Sequence, residues 1–366
     1  MIKVTLTNEI LRYITEIEQN RYKVSSVKLS KTVMNKLRKN SKKKSSYASN
    51  KIEGNPLSEK QVDEVIESDE RKHYLKPEQE VRNYFLALNY LEEKVSKKEK
   101  FSTKLILDVQ KLVEKRASKE KIGLRGPMPP GVLFAVYDSK TGNPDYIPPE
   151  YCNIPGLLDE LVEYVNTTDD HPLIVAAVVH YQLVTIHPFE DGNGRTARLL
   201  SGYIMDLNGY GFNGIGSLEE YFAYDIDEYY ESIQMGLPAL YYSGRENPPH
   251  PEIWINYFLR MVKLYSGKVC DLQLASEEED ITGSLSFLKG KEKELLQFLI
   301  KNYKGEFTPI EVSRKLSVTN KTIINRLAVL VKNGFVVPIL VNERIRSYEL
   351  SEFTRGHEKE IMKAIV

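Results

Sequence analysis

His187-Pro188-Phe189-Glu190-Asp191-Gly192-Asn193-Gly194-Arg195-Thr196-Ala197-Arg198 packs an imidazole, a carboxylate, a glycine-flanked turn and two guanidinium groups into twelve residues. Before it, Pro172 to Ile186 is apolar at most positions (Leu173, Ile174, Val175, Ala176, Ala177, Val178, Val179, Leu183, Val184, Ile186). Apolar residues on nearly every side predict a helix buried all round, and Pro172 suits its first turn. Pro188 and the Gly192-Asn193-Gly194 triplet interrupt this helix, and Thr196 to Leu207 resumes a helical pattern with Leu199, Leu200, Ile204, Met205 and Leu207 apolar. The triplet therefore stands at the entrance of a second helix. Glycines there let the backbone turn without a Cβ clash and aim successive N–H groups at one point. The helix start adds partial positive charge, so a phosphate is the natural guest.

Arg195 and Arg198, three residues apart, share one face in the first turn of that second helix. Two cations are unhelpful at a helix N-terminus unless an anion lies between them, and guanidinium groups suit phosphate oxygens through forked donors. Asp191 would repel a bare phosphate, which points to a bridging cation such as Mg2+. His187 precedes the cradle and is placed to accept a proton from an incoming hydroxyl. The chemistry implied is phosphoryl or nucleotidyl transfer, in which positioning and charge neutralisation do most of the catalysis.

The run resembles the signature of Fic-domain proteins, His-Pro-Phe-x-Asp/Glu-Gly-Asn-Gly-Arg with a second arginine three residues on, and the match from Tyr181 to Arg198 is close to complete. The resemblance implies a protein adenylyltransferase, which moves AMP from ATP to a Ser, Thr or Tyr hydroxyl of a target protein. His187 would be the catalytic base, Asp191 the Mg2+ ligand, Gly192, Asn193 and Gly194 the anion hole, and Arg195 and Arg198 the grip on the ATP phosphates. A minor branch that works as a kinase has lysine at the last glycine of the triplet; Gly194 here favours AMP transfer.

Ser49-Asn50-Lys51-Ile52-Glu53-Gly54-Asn55 lies far upstream. Ser49 and Glu53, spaced i and i+4, project from one helix face, with Gly54 as a stop. The segment resembles the family's inhibitory motif, Ser/Thr-x-x-x-Glu-Gly/Asn, in the class that carries it ahead of the core. The resemblance implies that Glu53 pairs with Arg198 and displaces the ATP γ-phosphate. A misalignment of about 1 Å can cost about a hundredfold in rate, so one carboxylate is enough to silence the enzyme. Removal of AMP from modified proteins, with Glu53 aligning a water, is a further activity consistent with these residues.

Gly131 to Pro149 reads as a hairpin: two β-prone runs, Val132 to Tyr137 and Tyr146-Ile147, flank a turn-rich centre. The family's flap hairpin lies here and docks its target by strand addition, which reads backbone more than side chains. Gly123-Leu124-Arg125 resembles the family's approach to the flap. Tyr229-Tyr230 resembles a paired tyrosine of which one ring, assigned to Tyr229, lines the nucleotide site. The expected nucleotide site is thus Glu53, His187, Gly192, Asn193, Gly194, Arg195, Thr196, Ala197, Arg198 and Tyr229, with Ser49, Glu53 and Arg198 as the inhibitory contact.

The 366 residues balance 51 Lys and Arg against 51 Asp and Glu, a formal charge of zero that gives no global pull toward nucleic acid or membrane. The cysteines, Cys152 and Cys270, lack metal-binding or redox spacing. Met1 to Glu9 has no signal-peptide pattern and no run reaches transmembrane length, so a cytoplasmic location without membrane contact is expected. The basic run Lys36, Arg38, Lys39, Lys42, Lys43 and Lys44 reads as a solvated face that, at most, steers ATP or an acidic target.

The expected organisation is mainly α. A helical region, 1–95, carries the inhibitory motif; the Fic core with its small β-hairpin flap spans 96–265; an acidic linker, 266–286, leads to a C-terminal winged helix-turn-helix domain, 287–366. In the last, Lys293 to Lys301, Thr308 to Leu316 and Lys321 to Asn333 read as amphipathic helices, the third with Ile324, Leu327 and Leu330 inside. Phe335 to Leu340 and Arg346 to Leu350 read as paired strands around Asn342-Glu343, and Lys321 to Lys332 as the recognition helix. With 15 Lys and Arg against 9 Asp and Glu from Phe287 to Val366, the domain permits DNA binding. Two functional readings follow: an autoinhibited adenylyltransferase using ATP and Mg2+, which the family's habits make a homodimer, or a DNA-binding transcriptional regulator whose Fic core senses nucleotide or is inactive. Intact His187, Asp191, Arg195 and Arg198 favour the first. The target protein and its modified side chain are not encoded locally.

Overall fold

The computed structural model describes residues 2–27, 29–69, 71–117, 122–137, 142–237, 241–242, 248–341 and 344–365, excepting the side chains of 32, 145, 241, 242, 278–280 and 282. It is mainly helical and divides into two compact units, one of residues 1–21 and 37–269, the other of 22–36 and 270–366.

The first unit begins with α1 (Asn8–Ser26) and α2 (Lys31–Ile52), both of which start or end across the division, then α3 (Glu59–Glu67), α4 (Lys76–Ser96) and α5 (Thr103–Glu114). A small sheet follows, β1 (Val136–Tyr137) and β2 (Pro144–Ile147), then α6 (Ile154–Thr167), α7 (Pro172–Ile186), α8 (Asn193–Leu207), α9 (Glu219–Tyr224), α10 (Ile226–Gln234), β3 (Tyr241–Tyr242) and the start of α11 (Pro251–Ser286). At the centre α7 packs on α8, with α4 and α5 against the other flank of α8. The all-round apolar character of α7 is matched by burial of nearly every residue from Leu173 to Ile186. Pro172 occupies its first turn and the His171 side chain accepts from Leu173 N–H at 3.3 Å. Trp254, fully buried, donates its indole N–H to Ala177 O at 2.8 Å, fixing α11 on α7.

The flap differs in detail from its sequence reading. β1 is only Val136–Tyr137, because Val132 N–H bonds Pro129 O at 3.0 Å in a turn that takes 132 out of the ladder. β2 runs antiparallel to β1, and its other side is paired in parallel by β3, Tyr146 with Tyr241 and Ile147 with Tyr242. The turn at 138–141 lies outside the described residues. In the basic run of α2, Lys42 meets Glu92 at 2.5 Å, Lys43 meets Glu67 at 2.7 Å and Asp63 at 3.4 Å, and Lys44 meets Glu220 at 3.1 Å, so these three lysines are paired.

The segment 266–286, expected as a linker, is helical throughout as part of α11. Glu, Leu, Ala and Lys are good helix formers, and a run of acid alone does not break a helix. Beyond it the second unit has α12 (Gly290–Asn302), α13 (Pro309–Leu316), α14 (Asn320–Lys332), β4 (Val336–Val341), β5 (Arg344–Leu350), α15 (Glu352–Gly356) and α16 (Glu358–Ile365). Thr308 and Glu311 close a capping box at the start of α13. β4 and β5 pair antiparallel from Val336–Leu350 to Val341–Arg344. The inward stripe of α14 is Ile323, Leu327 and Leu330, whereas Ile324 is 42% exposed. Both isoleucines keep helical spacing to leucines further on, and the stripe i, i+4, i+7 from Ile323 is the one that the core of Leu295, Leu299, Val312 and Phe335 receives.

That register makes adjacent residues unequal. Ile323→Ala is expected to cost about 2–5 kcal/mol by loss of buried methylenes, and Ile324→Ala to stay within about 0.5 kcal/mol. Denaturant unfolding of the full chain measures both; equal losses would refute the register.

Candidate active site

His187 ends α7 in the left-handed region, φ 48° and ψ 59°, with its N–H still bonded to Leu183 O at 3.1 Å. Pro188 disfavours the α conformation for the residue before it, so the helix stops there. A non-glycine residue in this region costs about 1–2 kcal/mol and needs support. Arg125 supplies it. Its Nε donates to His187 O at 2.8 Å, its backbone N–H to Pro188 O at 2.9 Å, and its Nη2 to Pro149 O. The Phe134 ring covers this guanidinium at 4.7 Å and stands 5.9 Å from the His187 ring. Arg125 thus ties both ends of the flap segment to the histidine turn.

His187 Nδ1 lies 3.2 Å from Val184 O. A carbonyl oxygen only accepts, so Nδ1 carries the proton and Nε2 the lone pair in the neutral ring. Burial pushes the imidazole down to about 4, with Arg125 adding to the effect against the Val184 hydrogen bond. At neutral pH the ring is an unprotonated acceptor.

The turn from Pro188 to Gly192 is cross-braced by Asn193, whose amide accepts from Phe189 N–H at 3.0 Å and donates to Phe189 O at 2.9 Å. Gly192 sits at φ +81°, and a Cβ there would meet Glu114 Oε1 at 2.6 Å, so this position needs glycine twice over. The first N–H groups of α8, from Asn193 onward, have no intrahelical acceptor and form a seat for negative charge. The Glu53 carboxylate stands beside that seat. A Cβ on Gly194 would strike Glu53 Oε1 and lie 3.2 Å from Arg198 Nη1.

Glu53 reaches this place from the C-terminal end of α2, where Gly54 at φ +80° turns the chain and Asn55 N–H bonds Asn50 O at 3.0 Å. Arg198 Nη2 donates to Glu53 Oε1 at 2.6 Å and to Ser49 O at 3.0 Å; Nε donates to Ser49 Oγ at 2.8 Å and Nη1 to the Tyr229 hydroxyl at 3.3 Å. Burial by itself lowers the guanidinium pKa, but Tyr229, Glu53 and Tyr84 outweigh it and raise it above its ordinary value. The i, i+4 pair of the sequence, Ser49 and Glu53, therefore converges on one buried arginine 145 residues further on.

The Fic/DOC family profile matches residues 100–205. This chain carries a Fic/DOC domain. It is 26% identical over 206 residues to the protein adenylyltransferase Fic of Drosophila grimshawi, covering 54% of this chain and 40% of that protein. It is 34% identical over 152 residues to protein adenylyltransferase fic-1 of Caenorhabditis briggsae, covering 40% and 27%. The chain thus spans well under two thirds of these relatives' length. The solved Fic family protein from Desulfovibrio desulfuricans G20 superposes with a TM-score of 0.61 at 19% identity, over 96% of this chain and 98% of that one. Fic-1 (aa134–508) from C. elegans gives 0.56 at 23%, over 73% and 72%.

Within the Fic fold the expected site residues stand in different surroundings. Arg195 does not point at the anion seat beside Arg198. Its Nη2 bonds Glu114 Oε1 at 2.8 Å and Asp191 Oδ1 at 3.3 Å, and Nη1 stands 4.0 Å from Glu80. Glu114, fully buried at the end of α5, is the strongest attraction available to it, and no motif in the sequence marks it. The side chains of Thr196 and Ala197 are fully buried, since helical rotation turns them away from the Arg198 face. Tyr229 is 1% exposed and lies behind Arg198, with its hydroxyl 2.8 Å from His180 Nε2, so it does not line an open site. Tyr230, 48% exposed and 3.5 Å from Ile52 O, is the ring beside Glu53. A cavity of about 130 Å³ behind Arg198, among Lys42, Glu92, Asp206 and Glu219, includes none of His187, Asp191 or Gly194.

No cluster of three or more His, Cys, Asp or Glu suited to a metal occurs among the described residues. Asp191 alone, with its side chain 32% exposed at the mouth of the seat, fits Mg2+, which is commonly held by one carboxylate together with substrate phosphates.

Ring nitrogen NMR reads the state of His187 directly. It should report a proton on Nδ1 at neutral pH and a protonation midpoint near 4. A midpoint near the ordinary value of about 6.5, or a proton on Nε2, would contradict the assignment.

Proposed function

We propose that this chain is a protein adenylyltransferase that transfers AMP from ATP to a Ser, Thr or Tyr hydroxyl of a target protein and is held off by Glu53. The observation that carries this reading is Arg198, gripped by Glu53 and Ser49 at the mouth of an intact anion seat. The names of the curated relatives support the reaction, and Gly194 in place of lysine supports AMP as the transferred group.

A target hydroxyl beside His187 gives its proton to Nε2, and its oxygen attacks the α-phosphorus. The α–β phosphoanhydride bond breaks and pyrophosphate leaves. Asp191 would hold Mg2+, which would supply neutralising positive charge to the phosphates. The α8 N–H groups and Arg198 would fix the phosphate chain in line, once the Glu53 carboxylate has left Arg198. Arg195 would act one layer back, aligning Asp191 while Glu114 holds it. The target segment would add to β1, since the other side of β2 is paired with β3. Arg125 then sets the distance from that strand to His187.

Removal of AMP is a second reading. The Glu53 side chain is 32% exposed at Gly194, where a carboxylate is placed to orient a water toward a bound AMP phosphate.

Labelling with ATP radiolabelled at the α-phosphate tests the proposal on wild type, Glu53→Gly and Glu53→Gly/His187→Ala. Weak self-labelling should rise about a hundredfold in the single variant, the scale of realigning a misplaced reactant, and vanish in the double. Absence of label in the single variant would sink the reading, and label from the γ-phosphate instead would make the enzyme a kinase.

A further inference from the structure

In the second unit, α14 carries exposed cations and no acidic residue of its own. α13 and α14 are joined by the short turn Ser317–Thr319, with Ser317 in the left-handed region at φ 51°. α14 buries the stripe Ile323, Leu327 and Leu330, which leaves Lys321, Asn325, Ala328 and Lys332 on its exposed side. No Asp or Glu occurs in its thirteen residues. At the far end of the β4–β5 hairpin, Arg344, Ile345 and Arg346 are all exposed.

Ion pairing separates two sets of cations. Lys291 meets Glu294 at 3.0 Å, Lys304 meets Glu358 at 2.7 Å and Arg355 meets Glu349 at 2.7 Å. Among the described residues from Lys289 to Lys363, the other cations, Lys289, Lys293, Lys301, Arg314, Lys315, Lys321, Arg326, Lys332, Arg344, Arg346, Lys359 and Lys363, have no carboxylate within ion-pair distance. Seven of these, Arg314, Lys315, Lys321, Arg326, Lys332, Arg344 and Arg346, fall on one helix-turn-helix and the hairpin beyond it, and there the recognition-facing helix α14 carries no acid at all. Exposed cations clustered without counter-charges are the electrostatic footprint of a polyanion.

We propose that this unit binds double-stranded DNA, with α14 in the major groove and the β4–β5 tip against the backbone. A helix fits the major groove, and the exposed amides and lysine of Asn320, Lys321 and Asn325 at its N-terminal half match the acceptors and donors on base edges there. Arg344 and Arg346 suit phosphate. An acidic protein would satisfy the charge but gives no reason for amide side chains beside the cations on the leading turns of α14. The inference does not rest on AMP transfer.

Fluorescence anisotropy of full-length protein with a labelled mixed-sequence duplex of about 20 base pairs, across salt from about 50 to 200 mM, tests it. The wild type should bind with a dissociation constant of about 10⁻⁶–10⁻⁴ M that weakens steeply with salt. Lys321→Glu/Arg326→Glu should weaken binding by about tenfold or more and flatten the salt dependence, as loss of phosphate contacts requires. Lys291→Glu/Lys304→Glu makes the same change in net charge at paired positions and should bind like wild type. No duplex binding at the lowest salt, equal loss in both double variants, or tighter binding to single-stranded RNA of the same length would overturn the proposal. Lys321→Gln/Arg326→Gln keeps side-chain size and guards against misfolding; it should also weaken binding, and wild-type affinity in it would likewise overturn the proposal.

Discussion

A guanidinium taken out of water needs acceptors for its five N–H bonds, and a buried one left without them is strongly destabilising. Arg198 is 3% exposed. Its acceptors come from two directions: Ser49 and Glu53 at the end of α2, and the Tyr229 hydroxyl at the front of α10. Much else in the first unit serves this arrangement. Gly54 and Asn55 turn the chain so that the Glu53 carboxylate arrives at Gly194, and Gly194 lacks the Cβ that would keep it out. His180, buried among Trp254, Phe222 and Phe258, backs the Tyr229 hydroxyl. Because Arg198 must have an anion, displacement of Glu53 calls for another, and a terminal phosphate at the helix N-terminus is the chemical equivalent.

The neighbouring arginine is balanced by charge more than by hydrogen bonds, since only its Nη2 has acceptors. Arg195 is equally buried, but Glu114, Asp191 and Glu80 surround it from within the first unit. One guanidinium is therefore committed to a permanent internal counter-charge and helps to hold Asp191. The other is held by Ser49 and Glu53 from the end of α2. This division of labour between residues three apart on one helix is the structural basis of the proposed autoinhibition.

How much of this was legible in the sequence depends on the range of the interaction. The α7–turn–α8 unit was legible because apolar pattern, Pro188 and the glycine triplet are local. The Glu53–Arg198 contact was legible only because a family motif marks both ends. Glu114 was not, since its partner lies 81 residues away and the contact depends on how α5 packs on α8. Tyr229 and Tyr230 are adjacent, about 100° apart on a helix, and composition does not say which faces inward. The same ambiguity of phase misplaced Ile324. The acidic run of α11 gave no sign of its helical state, because charge density resembles disorder, whereas its residues are good helix formers.

Competition for Arg198 is measured most directly by what the γ-phosphate adds to binding. Calorimetric affinities for ATP and ADP, with His187→Ala in every protein to prevent turnover, give that increment with and without Glu53. The account predicts a small ATP preference when Glu53 is present and a preference larger by about tenfold or more in Glu53→Gly, the scale of one charge-assisted contact regained. The same ratio in both proteins would contradict it.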